Sequence, residues 1–332
     1  MELPPHLDAV LGRYDLDAAR IEGLIESSTR NDNAVVLDGR GRRFVLRRFR
    51  RNADVERVRF QLRFQRHLEA AGVPVPAIVL DRDGADLVVD EEGWPWVLFA
   101  FVEGDEFDFE RVEQARAAGE LLASVHRAGA SFAEAERPFE LAVRWRRFVA
   151  EPRALTEEMR ATWPDAGLGA DLEAYRVRLE VLGRTLPAAV FDALPSGWTH
   201  GDYHGRNLLY RGDAVAGLLD FDKVERSPLT MDVGRGIASF GRSQRGTLDV
   251  RVDFARAFLE GYETWRTLER AEFEAMPVIH ELDAAPWAAI VAMLVREGAA
   301  PASAVRGDLE GMRRASVQAG AMRAVLRELG RG

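Results

Sequence analysis

The sequence predicts an α+β fold, a small antiparallel sheet with one inserted helix followed by a larger and mostly helical part. Three observations carry this. Short runs with strand patterning fill the chain up to residue 102, one long amphipathic segment interrupts them, and after Gly104 the helical period takes over.

Ile21–Glu26, Ala34–Leu37 and Arg43–Arg47 read as the first three strands, the last two joined by an Asp38–Gly39–Arg40–Gly41 turn of hairpin type. Ala53–Ala71 reads as the helix, with Val55, Val58, Leu62 and Leu68 at helical spacing beside Phe60 and Phe64. Gly72 stops it, and Val73–Pro74–Val75–Pro76 forbids its continuation. Ile78–Leu80, Asp86–Asp90 and Trp96–Val102 read as further strands, with a turn at Glu91–Gly93. Next come helices at Arg111–Arg127, Leu141–Val149 and Asp171–Leu182, then a mostly helical Asp253–Arg331 with breaks expected near Pro277, Pro286 and Pro301. The division falls near Phe101–Gly104, giving residues 1–102 as an N-terminal lobe and 103–332 as a C-terminal lobe.

Composition narrows the function. The 332 residues, 47% hydrophobic and 30% charged, suit a soluble protein of two lobes, each with its own core, or of one large domain. A net charge of −9 disfavours DNA or RNA as partner, because phosphate contacts need clustered cations. The absence of Cys excludes disulfides, thiolate metal sites and a Cys nucleophile. No run approaches the roughly 20 apolar residues of a membrane helix. Met1–Leu11 lacks the basic start and apolar run of a signal peptide, so the cytoplasm is the expected location. Lys223 is the only lysine among 45 Lys and Arg, so a role demanding lysine falls to it or goes unfilled.

The chemistry concentrates in Trp198–Gly234. His200–Gly201–Asp202 is followed by Asn207, then by an apolar strand pair, Leu208–Tyr210 and Val215–Leu219, that delivers Asp220–Phe221–Asp222. A carboxylate and a carboxamide thus share a tight loop, with a second carboxylate at a strand end across a hairpin. Magnesium takes a few hard oxygen ligands from a protein and completes its octahedron with phosphate and water, a role that suits Asn207 and Asp220. Asp202 stands outside that pair, placed to accept a proton from a substrate hydroxyl.

His-x-Asp-x-x-x-x-Asn followed by Asp-Phe resembles the catalytic core of the protein-kinase-like superfamily, and the His-Gly-Asp variant resembles its aminoglycoside phosphotransferase and homoserine kinase-like branch. Val73–Pro76, Val102–Gly104, Leu122–His126 and Met231–Val233 resemble the branch in the same order. The resemblance implies a two-lobe kinase-like fold, with ATP and Mg2+ as cofactors and a small hydroxyl-bearing molecule as acceptor. It implies Asp202 as catalytic base, Asn207 and Asp220 as magnesium ligands and Asp232 as a structural brace. The backbone of Phe99, Ala100 and Phe101 would meet the adenine. Arg47 stands where the superfamily carries its phosphate-binding Lys, and Gln61 where it carries the paired Glu. An Arg can still bind phosphate, often bidentately, and Gln61 can accept a hydrogen bond from Arg47.

Other readings of the same residues compete. His200, Asp202 and His204 spell a zinc-hydrolase-like triplet, against which the remaining histidines (His6, His67, His126 and His280) lie far off in sequence. Asp222 reads equally as a second metal ligand or a surface carboxylate, whereas His204 reads more readily as an exposed residue than as a contact to substrate or phosphate. The arginines of Arg42–Arg51 read as a solvated strand edge beside a phosphate site more readily than as a nucleic-acid patch. A protein kinase is disfavoured, because only eleven residues separate Asp220 from Asp232. The departures at Arg47 and Gln61, and a phosphate loop Ser27–Asn33 without Gly-x-Gly, keep a nucleotide-binding protein without catalysis as the second hypothesis. Glu260, Tyr262, Trp265, His280, Glu281 and Trp287 are the expected wall of the acceptor site; the acceptor could be an amino alcohol, a sugar derivative or an aminoglycoside.

Overall fold

A computed structural model of the chain describes residues 6–25, 31–50, 54–134, 152–162, 169–296 and 303–331. Two compact units emerge, the first comprising Met1–Phe107 and Arg206–Val224, the second Asp108–Gly205 and Glu225–Gly332. The sequence-based division between residues 102 and 103 left 206–224 with the C-terminal part; by packing, that segment belongs to the first unit.

In the first unit, strands β1 (Arg20–Ile25), β2 (Asp32–Leu37), β3 (Arg43–Arg48), β4 (Ile78–Val79), β5 (Val88–Val89) and β6 (Pro95–Ala100) form one antiparallel sheet. Its order is β1-β2-β3-β6-β4, with β5 also on β6. Helix α1 (Leu7–Leu11) and Tyr14 cover one face, packing on Val36, Phe44, Leu46 and Leu98. Side chains alternate along a strand, so Phe44 and Leu46 turning to that core sends Val45 and Arg47 to the opposite face. That face is covered from α2 (Val55–Ala70), whose Val58 and Leu62 join Phe49, Leu87 and Val97. The Asp54 side chain caps α2 by accepting the N–H groups of Glu56 and Arg57. Gly72, at φ +81°, and a bond from Val73 N to Leu68 O close it.

The returning segment is the hairpin β8 (Leu208–Arg211) and β9 (Ala214–Leu218). Asp105 and Tyr210 exchange both backbone hydrogen bonds (2.9 and 2.8 Å), and Leu218 N donates to Pro74 O. The Phe107 and Tyr210 rings meet at 6.0 Å, as do Phe64 and Phe221 at 6.3 Å.

Among its described residues the second unit is helical apart from one strand pair, β7 (Ser196–Thr199) with β10 (Glu225–Pro228). Its described helices are α3 (Val112–Gly129), α4 (Pro152–Thr162), α5 (Gly169–Thr185), α6 (Ala188–Asp192), α7 (Thr230–Phe240), α8 (Val252–Tyr262), α9 (Arg270–Arg296) and α10 (Ser303–Glu328). Helices α3 and α8 cross at backbone contact. A methyl on Gly119 would lie 2.0 Å from Phe258 O, and one on Gly261 would lie 2.2 Å from Arg116 O, so only glycine fits at either point. The expected helix Leu141–Val149 and the expected break at Pro301 lie outside the described residues. The breaks expected at Pro277 and Pro286 do not occur, because α9 runs through both. Pro277 costs the helix one hydrogen bond. Ala275, Met276, Val278, Ile279 and Leu282 are all buried around it, and that packing outweighs the loss. Among the described residues no helix is long and apolar enough to cross a membrane.

Candidate active site

In the first unit the nominated residues converge on Asp222. Arg47, on the α2-facing side of β3, donates through Nη2 to Asp220 Oδ1 (3.1 Å) and Asp222 Oδ2 (2.8 Å). Burial opposes its charge, but the two carboxylates outweigh that and hold the guanidinium above its ordinary pKa. Phe49 lies under it, 4.9 Å from guanidinium carbon to ring centre. Asn31 donates to the same Asp222 oxygen (2.8 Å), while its own carbonyl accepts Arg50 N (3.0 Å). Gln61 does not bond Arg47 as expected. Its amide nitrogen donates instead to Asp222 O (3.2 Å), a carbonyl that Arg57 also reaches at 3.3 Å. The reason is charge: the guanidinium is drawn to two carboxylates, leaving the neutral amide of α2 to the backbone beside them. Asp222, left open between ligand and surface residue, is 6% exposed and anchors this network. Its signal in the sequence was its position two residues past Asp220 on a strand end. The arginines at 42, 43, 47 and 48 each pair with a carboxylate, which leaves them a poor nucleic-acid patch.

Asn207 and Asp220 sit at one end of the β8–β9 hairpin. Leu208 pairs with Leu218, and Leu219 N donates to Asn207 O (2.8 Å), so the two ligand candidates flank the last rung of the ladder. Asp220 has a φ of +65°, a left-handed conformation that a non-glycine residue adopts at a cost. Oxygen donors only, one of them held in a strained backbone, fit a hard divalent cation whose remaining ligands come from phosphate. Among the described residues no group of three or more His, Asp or Glu side chains stands ready to hold a metal without such help. The backbone nominated for adenine is partly spent: Ala100 N donates to Ala77 O (2.8 Å) and Phe101 N to Arg43 O (3.3 Å), while Phe99 is paired with Val45 and Ile78. An adenine ring would draw on the carbonyls of this segment and on amides beyond it. The loop at Ser27–Arg30 lies outside the described residues.

Asp202 belongs to the second unit, on a loop fixed from behind. Asp232, on the first turn of α7 and fully buried, accepts His200 N (2.6 Å) and Gly201 N (3.0 Å) on its two oxygens. His126 of α3 donates to it through Nε2 (3.2 Å), and the Tyr262 hydroxyl lies 2.9 Å from His126 Nδ1. Burial by itself would raise the Asp232 carboxyl; the His126 hydrogen bond and the nearby His126, His200 and Arg235 charges hold it below the usual range. Gly201 takes φ +74°, which lets two successive amides point at one carboxylate. His200 Nδ1 in turn accepts the Asp202 N–H (3.2 Å), so that lone pair is in use. The outcome is a half-buried Asp202 carboxylate on a rigid turn, with His204 Nε2 at 3.7 Å. The sequence analysis set His126 aside as too distant in sequence for a metal site and missed its bond to Asp232; a polar ring at helical spacing among Leu122 and Val125 was the available signal.

Most of the expected acceptor wall is occupied in packing the second unit. Glu260 pairs with Arg116 and Glu281 with Arg178 and Arg323, while Trp265 packs edge-on against His126 and Tyr262. The ring nitrogens of His280 are buried too, with Gln318 as its hydrogen-bonding neighbour, and the Trp287 side chain lies outside the described residues.

Residues 23–273 match the model of the phosphotransferase enzyme family. A homoserine kinase of Brucella anthropi is 30% identical over 87% of this chain and 82% of its own length. Among solved structures, an aminoglycoside phosphotransferase of Alicyclobacillus acidocaldarius superposes with a TM-score of 0.66 at 21% identity, covering 99% of this chain and 97% of that one. A microcompartment-associated aminopropanol kinase does so with a TM-score of 0.67 at 19% identity, with 97% of each chain covered. At those identities the structural likeness speaks for the fold, which is the two-lobe, protein-kinase-like α+β fold. With the family model spanning three quarters of the sequence, the chain belongs to the phosphotransferase enzyme family, in its aminoglycoside phosphotransferase and homoserine kinase-like branch, as a small-molecule kinase with a hydroxyl acceptor.

Proposed function

We propose that the chain moves the γ-phosphoryl group of ATP, with Mg2+, onto the hydroxyl of a small amino alcohol or hydroxy amino acid, with L-homoserine the first candidate. The observation that carries this reading is the Asp202 turn: a half-buried carboxylate on a loop whose two preceding amides, of His200 and Gly201, are fixed on Asp232. Such a base takes the hydroxyl proton, and the alcohol oxygen then bonds to phosphorus as the bond to the ADP oxygen breaks. Arg47 holds phosphate oxygens, Asn207 and Asp220 hold the cation, and Asp222 with Asn31 and Gln61 keeps Arg47 aimed. Magnesium, when bound, neutralises charge on the phosphate oxygens. The homoserine kinases among the relatives support the acceptor named first.

The test is ADP release from Mg-ATP over a panel of L-homoserine, aminopropanols, choline, methylthioribose and aminoglycosides. Saturable turnover of one acceptor class is expected. ATP binding with no turnover on any acceptor would return the chain to the nucleotide-binding reading. Arg47 gives a second expectation. Arg47→Ala should weaken ATP binding by about ten- to a hundredfold, from one charge-assisted hydrogen bond of roughly 1.5–3 kcal/mol, and leave adenosine binding nearly unchanged. Calorimetry with both ligands checks it, and equal losses would make Arg47 a support of the fold.

A further inference from the structure

Helix α2 carries a polar stripe that covering a sheet does not require. Arg57, Gln61 and Gln65 recur at four-residue intervals and so share one face of it. Gln61 and Gln65 are only 2% and 4% exposed. A carboxamide buried so deeply is costly unless hydrogen-bonded, and each of the two donates to a main-chain carbonyl. Gln65 Nε2 reaches Pro76 O (2.6 Å) and Gln61 Nε2 reaches Asp222 O (3.2 Å). Arg57, half-buried, continues the stripe with Nη2 at 3.3 Å from Asp222 O and 3.1 Å from Val224 O. Those two carbonyls belong to a tight turn that Val224 N closes onto Phe221 O (3.3 Å). Phe64 of α2 packs edge-on against Phe221 in the same turn. The turn directly follows Asp220, with its φ of +65°, and contains Asp222, the carboxylate on which Arg47 and Asn31 both rest. All of these residues lie in the first unit.

We propose that Arg57 and Gln61 are positioning residues of the nucleotide site: by holding the carbonyls of the 221–224 turn, they set Asp220 for the cation and Asp222 for Arg47. The assignment rests on the reading of Asp220 and Arg47 as cation and phosphate groups, and it adds two residues that act through the turn. A carbonyl lies in its rigid peptide plane, so fixing the carbonyl oxygens of residues 222 and 224 fixes the backbone on which the Asp222 side chain stands. A left-handed Asp220 persists only where its surroundings hold it, and the pinned turn that follows supplies that support. The superfamily pattern would put a carboxylate at position 61, paired with the strand cation. Here the carboxylate comes from Asp222, and α2 contributes only donors. A Glu at 61 would therefore set oxygen against Asp222 O. It would also stand four residues from Arg57 and draw that guanidinium off the turn. Restoring the superfamily's charge pattern at 61 should thus harm this protein.

The experiment is calorimetric binding of Mg-ATP and of adenosine to the wild-type chain, Arg57→Met, Arg57→Lys and Gln61→Glu. Methionine keeps an unbranched stem beside Phe60, over whose ring the guanidinium carbon lies at 5.7 Å, and loses the donors. Arg57→Met should weaken Mg-ATP binding about tenfold, the lower end of what a lost hydrogen bond from a charged group implies. Adenosine, which has no phosphate or cation to place, should change by no more than about threefold. Arg57→Lys, whose ammonium still donates to carbonyls, should recover Mg-ATP binding to within about threefold of wild type. Gln61→Glu should weaken Mg-ATP binding about tenfold. A residue that merely supports the fold would weaken both ligands alike. Equal losses on Mg-ATP and adenosine in a folded Arg57→Met, or unchanged Mg-ATP binding there, would overturn the assignment and leave the phosphotransfer reading standing. Tighter Mg-ATP binding by Gln61→Glu would do the same and return position 61 to a charge-pair role. Should Arg57→Met fail to fold, Arg57→Lys and Gln61→Glu decide between these outcomes. The expected binding pattern without turnover on any acceptor would keep the positioning role and overturn phosphotransfer. A wild-type chain that binds no Mg-ATP would overturn both.

Discussion

Replacing Asp202 with Asn should lower turnover by about 10²–10⁴-fold, the range spanned by loss of a positioned general base. Asparagine keeps the size but loses the negative charge, and with it the capacity to take a proton. The fold should hardly notice, because the Asp202 side chain is 21% exposed and the loop is fixed through the backbone of His200 and Gly201. Tm should stay within about 2 °C, as for a surface change of a few tenths of a kcal/mol. KM for ATP should move little, because the phosphate and cation roles are assigned to Arg47, Asn207 and Asp220. Steady-state kinetics with a thermal melt decide the matter. Turnover within a factor of three of wild type would remove Asp202 from the mechanism.

Asp232→Ala should be worse for the protein than for the chemistry. It strands two backbone N–H groups and a histidine inside the second unit, and breaking a buried charged network of this kind costs about 3–5 kcal/mol. Much of an ordinary domain's stability would go with it. Activity should fall in parallel, as the turn bearing Asp202 loses its support. Asp232→Asn tests the charge separately. The folded carboxyl titrates below its unfolded value of about 3.9, so its contribution is complete above roughly pH 4 and is lost as pH falls through the folded value. The stability gap between wild type and Asp232→Asn should therefore be constant near neutrality and shrink in acid. Urea titrations at pH 7 and in steps below pH 4 measure it; a gap that widens in acid would mean the sign of the shift is wrong.

The sheet and α2 were legible because period-two and period-3.6 patterns, Gly72 and the Pro74–Pro76 run are local signals that the packing reinforces. Pro277 and Pro286 misled for the opposite reason: a local breaker was overruled by burial around it, which no window of sequence displays. The same division holds at the site. Asp202, Asn207 and Asp220 could be nominated from spacing, because they share one short stretch of chain. The partners of Arg47 could not, since Asp222 lies 175 positions away and the choice between it and Gln61 is electrostatic. Nor could the bonds from His126 to Asp232 or from Arg235 to Asp283, which join side chains of different helices 106 and 48 positions apart.

The return of residues 206–224 to the first unit has a consequence for biosynthesis. When a ribosome has released the chain up to Phe107, Tyr210 and Phe221 do not yet exist to cover Phe107 and Phe64. The sheet must wait for the hairpin while the intervening residues emerge, which at 5–20 residues per second takes on the order of 10 s. For that interval the nascent chain presents apolar surface that the finished protein conceals, the kind of surface a chaperone holds. The first unit of this kinase is thus begun first and completed only after the Asp202 turn has been made.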